Sequence, residues 1–328
     1  MSKLCIQRLR VICMKKTEII NALGQEDFTE FYQNADKIKK ENFGDNIYIR
    51  AILEFSNYCR RCCDYCGINA SNHNIKRYRI IPEEIIKTAV TAYEYGYKTI
   101  VLQSGEDNYY NTEILSYILS EIKKCGIFIT LSCGERTDYD ILKKSGADRY
   151  LIKHETSDRK IYEALHPESS FDNRISCIKT LKRLKFETGS GFMIGLPGQT
   201  LETIADDILL LKELGCDMAG IGPFIPHPDT RLKSTEKGSS ELTKRAVALS
   251  RIIMPKINLP ATTSLGVVNE KAKNDVFSCG ANVIMKKVTP TEYKRFYEIY
   301  PSEMNDTDIL KDRLLLEEQI KALGCVPV

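Results

Sequence analysis

Apolar positions recur along this 328-residue chain with two alternating periods. A period of two, or a short β-branched run, predicts strands over Asn46 to Phe55 (NIYIRAILEF), Lys98 to Gln103, Ile127 to Cys133 and Arg149 to His154. The same reading predicts strands over Glu187 to Ile194, with Gly189 and Gly191 inside, and over Asp217 to Gly222, Pro260 to Leu265 and Asn282 to Met285. Between them the period lengthens to that of an amphipathic helix. Pro82 to Tyr95 begins with proline in its first turn. Thr112 to Cys125, Thr137 to Ser145 and Thr200 to Leu214 are each stopped by the glycine that follows, and Ser170 to Leu184 and Leu242 to Met254 complete the set. Residues 1–47 read as helices, with Thr17 a candidate cap for the first. Thr29 to Glu41 forms the second, with Phe31, Ala35 and Ile38 on one face. Helical patterns resume at Thr291 and over Asp306 to Leu323, where Leu310, Leu314, Leu315, Ile320 and Leu323 form an apolar face.

Eight strands alternating with helices predict a parallel sheet, most simply a closed (β/α)8 TIM barrel. The expected organisation is an N-terminal helical cap over 1–47, the barrel over 48–290, and a C-terminal helical segment over 291–328 packed on the barrel. In such barrels chemistry sits at the C-terminal ends of the strands.

Composition narrows the function classes. A net charge of +3 with 28% charged residues offers no strong field for nucleic acid. No run of 18 apolar residues predicts a membrane span. The opening MSKLCIQRLRVICMKK lacks the long apolar core and small-residue cleavage site of a signal peptide. Twelve cysteines, several clustered, fit a reducing compartment better than a disulfide framework, so a cytoplasmic protein is expected.

The cysteine cluster is the sharpest chemical signal. It follows the first predicted strand, in LEFSNYCRRCCDYCGINASN (Leu53 to Asn72). Cys59, Cys63 and Cys66 have the spacing C-x3-C-x2-C, with Tyr65 before the last cysteine. Three thiolates can hold three irons of a [4Fe–4S] cube and leave the fourth open. CRRCCDYC also contains the pairs Cys59/Cys62 and Cys63/Cys66. Zinc knuckles take two such pairs separated by a longer loop, whereas here they abut. Buried or disulfide-bonded cysteines are the remaining alternative, and Cys62 is read as a non-ligand. Cys5, Cys13, Cys125, Cys177, Cys216, Cys279 and Cys325 have no ligand spacing, so one cluster per chain is expected. The motif resembles that of the radical S-adenosylmethionine (SAM) superfamily, C-x3-C-x-aromatic-C. That resemblance implies a SAM whose amino and carboxylate groups chelate the open iron, and whose reductive cleavage yields methionine and a 5′-deoxyadenosyl radical.

Polar residues cluster at the other strand ends: Ser104-Gly105-Glu106-Asp107, Ser132-Cys133-Gly134-Glu135, Lys153-His154-Glu155-Thr156, GFMIGLPGQT (Gly191 to Thr200), GIGPFIPHPDT (Gly220 to Thr230), and Thr262-Thr263. Together they suit a polar small-molecule pocket. GLPGQT is read either as a bare turn or as backbone that lets a flat base approach at Gly195. His154 and His227 are read as structural rather than as a metal pair.

IRAILEFSNYC, TIVLQSGED, ADRYLIKHET, GLPGQT, GIGPFIPHPDT, PATT and CGANVIM, in this order, resemble the HydE family of radical SAM maturases of [FeFe]-hydrogenase. The resemblance runs from about Phe28 to Tyr300. It implies that Gly105, Glu106 and Asp107 hold SAM's amino group, and that the loop at Gly195 passes near the adenine. Glu155, Arg174 and Tyr297 resemble further SAM contacts. Arg50 and Met218 resemble substrate-cavity residues, and Thr262 and Thr263 part of an anion-binding floor. Read without the resemblance, Arg50 is a satisfied ion pair and Met218 core filler. The implied substrate is a small Fe(CO)2(CN)–cysteine species supplied by the partner maturase HydG. The modified iron unit passes towards HydF, and a donor such as a ferredoxin supplies the electron. The family commonly has Arg where this chain has Lys153, which keeps the charge and loses the bidentate fork. Some relatives carry a second cysteine cluster near the C-terminus, where this chain has only Cys325. Two alternatives remain: a radical SAM enzyme on a small organic substrate, like biotin synthase or methylornithine synthase, and a non-catalytic iron–sulfur carrier.

Overall fold

The computed structural model describes residues 14–301 and 308–328. The start of the predicted N-terminal helical region, with Cys5 and Cys13, and Asp306 at the start of the last helix lie outside the described residues. Eleven strands occur among the described residues: β1 (Asn46–Ser56), β2 (Thr99–Ser104), β3 (Phe128–Ser132), β4 (Arg149–Leu151), β5 (Glu187–Ser190), β6 (Met193–Ile194), β7 (Met218–Ala219), β8 (Gly222–Pro223), β9 (Pro260–Ala261), β10 (Val283–Lys287) and β11 (Val326–Pro327). Eight of them form one parallel sheet in the order β7-β5-β4-β3-β2-β1-β10-β9. A single parallel bridge, Met218 to Asn258, joins the two ends of that order and nearly closes a (β/α)8 barrel. Asn258 NH donates to Asp217 O, and Ala219 NH to Asn258 O, each at 2.9 Å.

The period of two along β1 explains why the barrel carries chemistry inside. Ile47, Ile49, Ala51, Leu53 and Phe55 are buried and share one face, which meets the surrounding helices. Arg50, Ile52, Glu54 and Ser56 share the other face. Arg50 reaches Met218 on the opposite strand, so this face points into the barrel. Register partners carry the inward face around the ring: Glu54 with Gln103, Gln103 with Ser132, and Gly189 with both Leu151 and Met218.

Several predicted boundaries move for identifiable reasons. The predicted fifth strand breaks at Gly191, where φ is +151° and a Cβ would lie 2.2 Å from Gly220 O. Beyond the break, β6 pairs with β8, so the predicted sixth strand is likewise two short pieces. The predicted seventh strand ends at Ala261. Thr262 precedes the helix Thr263–Val268, so neither threonine lies in a strand. Thr17 lies inside the helix Lys16–Leu23, whose N-cap is Lys15.

The helices Lys16–Leu23 and Thr29–Phe43 pack against the helix Ser240–Ile253, and the first also packs against Leu201–Glu213. The last helix, Ile309–Ala322, inverts the predicted face. Leu310, Leu314, Leu315 and Leu323 are exposed, Leu314 at 52%. Of the predicted face Ile320 is buried as expected, and Asp312, Arg313 and Leu316 take the place of the leucines beside it. The reason is polar: Asp312 pairs with Lys286 Nζ at 2.9 Å, and the Arg313 guanidinium covers the Tyr97 ring. After this helix, β11 pairs with the first residues of β1. No helix among the described residues is long and apolar enough to cross a membrane.

Candidate active site

The loop after β1 holds the predicted cysteines, and the turn after β2 holds the loop. Gly105 NH donates to Ser56 O at 3.1 Å, and Arg60 NH to Glu106 O at 3.0 Å. A Cβ on Gly105 would lie 2.2 Å from Tyr58 O and 2.7 Å from Cys59 Cβ, so only glycine allows this approach. Cys59 Sγ accepts the backbone N–H groups of Arg61 and Glu106, both at 3.4 Å. Burial pushes the Cys63 thiol up to about 12, helped by Cys59, and pushes Cys66 well up, helped by Cys63 and Cys59. These three thiols feel one another. Cys62 stands apart, its Sγ accepting from Ser71 Oγ at 3.4 Å. Among the described residues no three His, Cys, Asp or Glu side chains converge on one ion. A cube needs thiolates at three separate corners, and metal binding is what stabilises thiolate in so buried a place. The donor set therefore fits a cluster.

The acidic residues around this loop form a tied network. Glu106 pairs with Arg60 at 3.0 Å and Arg61 at 2.6 Å. Arg61 also reaches Glu135 at 2.9 Å, and Glu135 pairs with Arg174 at 2.8 Å. Burial alone would raise the Glu135 carboxyl, but Arg174 and Arg61 hold it below the ordinary value. Asp107 accepts from Ser56 Oγ at 2.7 Å and, side-on, from Nε and Nη2 of the Arg79 guanidinium, at 2.8 and 3.0 Å. These bonds hold its carboxyl low against burial. The Glu106 and Asp107 side chains thus serve internal links, and what the turn presents to a ligand is backbone.

Glu155 stands at the end of the β4 region with φ +64°, in a tight turn where Thr156 NH donates to His154 O at 2.8 Å. Backbone strain of this kind is concentrated at functional sites. Lys153 Nζ lies 3.1 Å from Glu155 Oε2 as an ion pair without hydrogen-bond alignment. Burial would raise this carboxyl, but Lys153 and Arg174 hold it low. The turn is backed by a fully buried pair, His154 Nε2 and Asp207 Oδ1 at 3.5 Å, with Ser190 Oγ 3.0 Å from His154 Nδ1. His227 fills the space against Gly67, and its Nδ1 accepts from Asp229 NH at 3.1 Å.

Tyr65 meets His166, which the sequence did not single out. The Tyr65 hydroxyl is 2.9 Å from His166 Nε2, and His166 Nδ1 is 2.7 Å from Tyr162 O. The carbonyl requires Nδ1 to donate, so Nε2 accepts from Tyr65. Burial pushes His166 down to about 4, and Arg174 adds to this. Gly195 has φ +92°, and its close neighbour is Gly238 Cα, 2.5 Å from an added Cβ. The structure therefore uses Gly195 for packing of its own backbone. Tyr297 is buried, and its hydroxyl accepts from Gln103 Nε2 at 3.1 Å.

Inside the barrel, Arg50 is 5% exposed and its Nη1 lies 2.9 Å from Met218 Sδ. That thioether is its one hydrogen-bond partner among the described residues. Burial, with repulsion from Arg149, pushes the guanidinium down to about 10. A cavity of about 10 Å³, room for one water, adjoins it between Arg149, Glu187, Met218 and Asn258. Above this floor the inward-facing Ile52, Gln103, Ser132, Leu151, Lys153 and Met285 are only half-buried, so the interior opens towards the strand ends. Lys287 points into the same space and pairs with buried Glu54 at 2.9 Å. Thr262 Oγ1 donates to Ile221 O at 3.4 Å, and Thr263 is exposed at the start of the next helix.

Comparison with known proteins agrees with this geometry. The radical SAM superfamily pattern matches residues 53–211. The chain is 49% identical over 286 residues to the [FeFe] hydrogenase maturase subunit HydE of Thermotoga maritima, covering 86% of this chain and 82% of that one. Its fold is similar to the crystal structure of methylornithine synthase (PylB), with TM-score 0.86 and 23% identity over 98% of this chain and 97% of that one. It is also similar to the crystal structure of the maturase HydG, with TM-score 0.81 and 20% identity over 98% of this chain and 76% of that one.

Proposed function

The chain belongs to the HydE-type maturases of the radical SAM superfamily, and from that premise we propose that its substrate is a small anionic Fe(CO)2(CN)–cysteine species used in assembly of the [FeFe]-hydrogenase H-cluster. Cys59, Cys63 and Cys66 would hold three irons of a [4Fe–4S] cluster, leaving the fourth for SAM. Bound there and reduced by one electron, SAM supplies a 5′-deoxyadenosyl radical. The protein's own part is positioning, charge and exclusion of water. The backbone of Ser104-Gly105-Glu106-Asp107 faces the cluster loop where SAM's amino group would sit. Glu155, held ionised by Lys153, is an acceptor for ribose hydroxyls. Arg174 and Tyr297 flank the same mouth. Lys153, Lys287 and Arg50 give the interior positive charge at three depths, and Thr262 and Thr263 add hydroxyl groups at the rim.

The observation that carries the substrate class is Arg50. A buried cation whose one hydrogen bond goes to a thioether, with Glu187 only across the adjoining cavity, is costly, and an anionic ligand relieves that cost. A neutral or cationic organic substrate would leave it in place. This favours the organometallic reading over a small organic substrate like that of biotin synthase or methylornithine synthase, the runner-up. By the same resemblance HydG supplies the precursor, HydF receives the product, and a ferredoxin-type donor supplies the electron. The test is 5′-deoxyadenosine release by the reconstituted, reduced enzyme. The Fe(CO)2(CN)–cysteine complex should accelerate it, and lysine or dethiobiotin should not. Acceleration by either organic compound and not by the iron complex would replace this reading with the runner-up.

A further inference from the structure

The loop that carries the cysteines is closed at its base by the segment that returns to the barrel. Ser56 and Arg79 form an antiparallel bridge. Asn57 Oδ1 accepts from Tyr78 NH at 2.7 Å, and Asn57 Nδ2 donates to Lys76 O at 2.8 Å. Arg77 lies in this returning segment, and its side chain turns inward under the loop. Its Nη1 donates to Asn57 O at 2.5 Å and Ile68 O at 2.8 Å. Its Nη2 donates to Asn69 O at 2.6 Å and Asn72 O at 3.0 Å. Asn57 is two residues before Cys59, and Ile68 is two residues after Cys66. One guanidinium therefore ties the chain on both sides of the ligand segment.

Arg77 has no carboxylate partner among the described residues. All four of its bonds go to backbone carbonyls, so its full charge stays uncompensated. The carbonyls of Asn57 and Ile68 that it holds lie two residues outside Cys59 and Cys66, which places the charge beside both ends of the ligand segment. Arginine suits this role because its planar fork presents several donors at fixed angles, whereas lysine offers a point charge on a flexible stem. Of the five cations from Asn57 to Arg79, Arg60 and Arg61 are paired with Glu106 and Glu135 and Arg79 with Asp107, whereas Arg77 is bound to carbonyls alone.

We propose that Arg77 is the positioning residue of the cluster loop, shaping it before iron arrives and lending the cluster a fixed positive charge once iron is bound. The first role follows from the four carbonyls. The second follows because reduction adds negative charge to a cluster, and net charge and surroundings set cluster potentials. This inference rests on the cluster reading above.

The test uses the full chain with Arg77→Lys and Arg77→Met. In metal-free protein, amide exchange over residues 57–78 should speed up at least tenfold in both variants, while the barrel strands keep wild-type protection. In reconstituted protein, both variants should lose iron to a ferrous chelator at least tenfold faster than wild type. The midpoint potential separates the two roles. Arg77→Lys should keep it, and Arg77→Met should lower it by about 59 mV, one tenfold step for one electron. Wild-type iron loss and loop exchange in Arg77→Lys would overturn the clamp, and an unshifted potential in Arg77→Met would overturn the charge. Global unfolding of metal-free Arg77→Lys would also count against the proposal, because a clamp local to the loop leaves the barrel intact. A wild-type chain that takes up no iron would refute the cluster reading instead.

Discussion

Replacing Arg50 with methionine should make the substrate-free protein more stable and the enzyme poorer. In the fold this guanidinium has a single thioether contact, and its pKa falls from the ordinary 12.5 to about 10 through burial and the nearby Arg149. A fall of about 2.5 pH units corresponds to about 3 kcal/mol of disfavour for the charged form. The sign is clear at neutral pH. Arginine is protonated in both the folded and unfolded chain, so the fold carries the whole penalty. It would be relieved only above the depressed value, near pH 10. Methionine fills most of the same volume without charge, and replacing a buried ion with an apolar group is often stabilising. Some of the gain is offset by lost packing and by the single water the adjoining cavity can hold. The expected gain is therefore about 1–3 kcal/mol, a rise of a few degrees in melting temperature for a chain of this size. Urea unfolding of metal-free Arg50→Met, Arg50→Lys and wild type would measure it. Arg50→Lys keeps the charge and should show no gain. Substrate-stimulated 5′-deoxyadenosine release should fall in the methionine variant. A variant that unfolds more readily than wild type, with stimulation intact, would refute the claim that Arg50 is an unsatisfied cation held for an anion.

Further outcomes follow from the mouth of the barrel. Cys59→Ala, Cys63→Ala and Cys66→Ala should each fail to retain the roughly four irons of one cubane, and Cys62→Ala should retain them, as read by iron and sulfide analysis. Loss of the cluster in Cys62→Ala with retention in Cys63→Ala would shift the ligand register. Lys153→Met should weaken SAM binding about tenfold, measured by the spectral change of the reduced cluster, because the buried Glu155 carboxylate loses the ammonium paired with it. Lys153→Arg should bind as wild type, and equal binding by all three would make Lys153 a bystander. The depressed carboxyls of Asp107 and Glu135 stabilise the fold fully above their ordinary values of 3.8 and 4.5, and that contribution is lost as the pH falls below them. Urea midpoints should accordingly drop between pH 5 and pH 3.5, and Asp107→Asn should flatten part of that drop. An unchanged slope in the variant would show that Asp107 carries no such linkage.

The barrel and the radical SAM motif were legible because both are written in local spacing. Alternation along Asn46 to Phe55 and the interval between Cys59 and Cys66 need no tertiary information. The errors arose where a distant partner decided the outcome. The leucines at 310, 314 and 315 form a convincing stripe, yet Lys286 and Tyr97 draw Asp312 and Arg313 inward and turn that stripe to solvent. Thr262 and Thr263 follow a β-like PAT run, but the chain turns into a helix after Ala261. At Gly195 the sequence could not show the backbone of Gly238, 43 residues away, against which its side-chain position closes. His166 and Arg77 went unnoticed because their partners, Tyr65 and the loop carbonyls, are visible only in three dimensions. For Arg77 a hint existed in the excess of cations between Asn57 and Arg79.

The barrel is not equally firm all the way round. The side bearing the cysteine loop is built from the long ladders of β1, β2 and β3, while the far side narrows to two-residue strands and the lone Met218–Asn258 bridge. Local opening is easiest where the ladder is shortest. Met218 is also the residue that Arg50 touches, so the seam of the ring and the floor of the cavity coincide. A guest that presses on the floor presses on the seam. The diameter available to it can change there without disturbing the thiolates opposite. An architecture with one stiff wall and one compliant wall can change its guest while its radical-generating side stays the same.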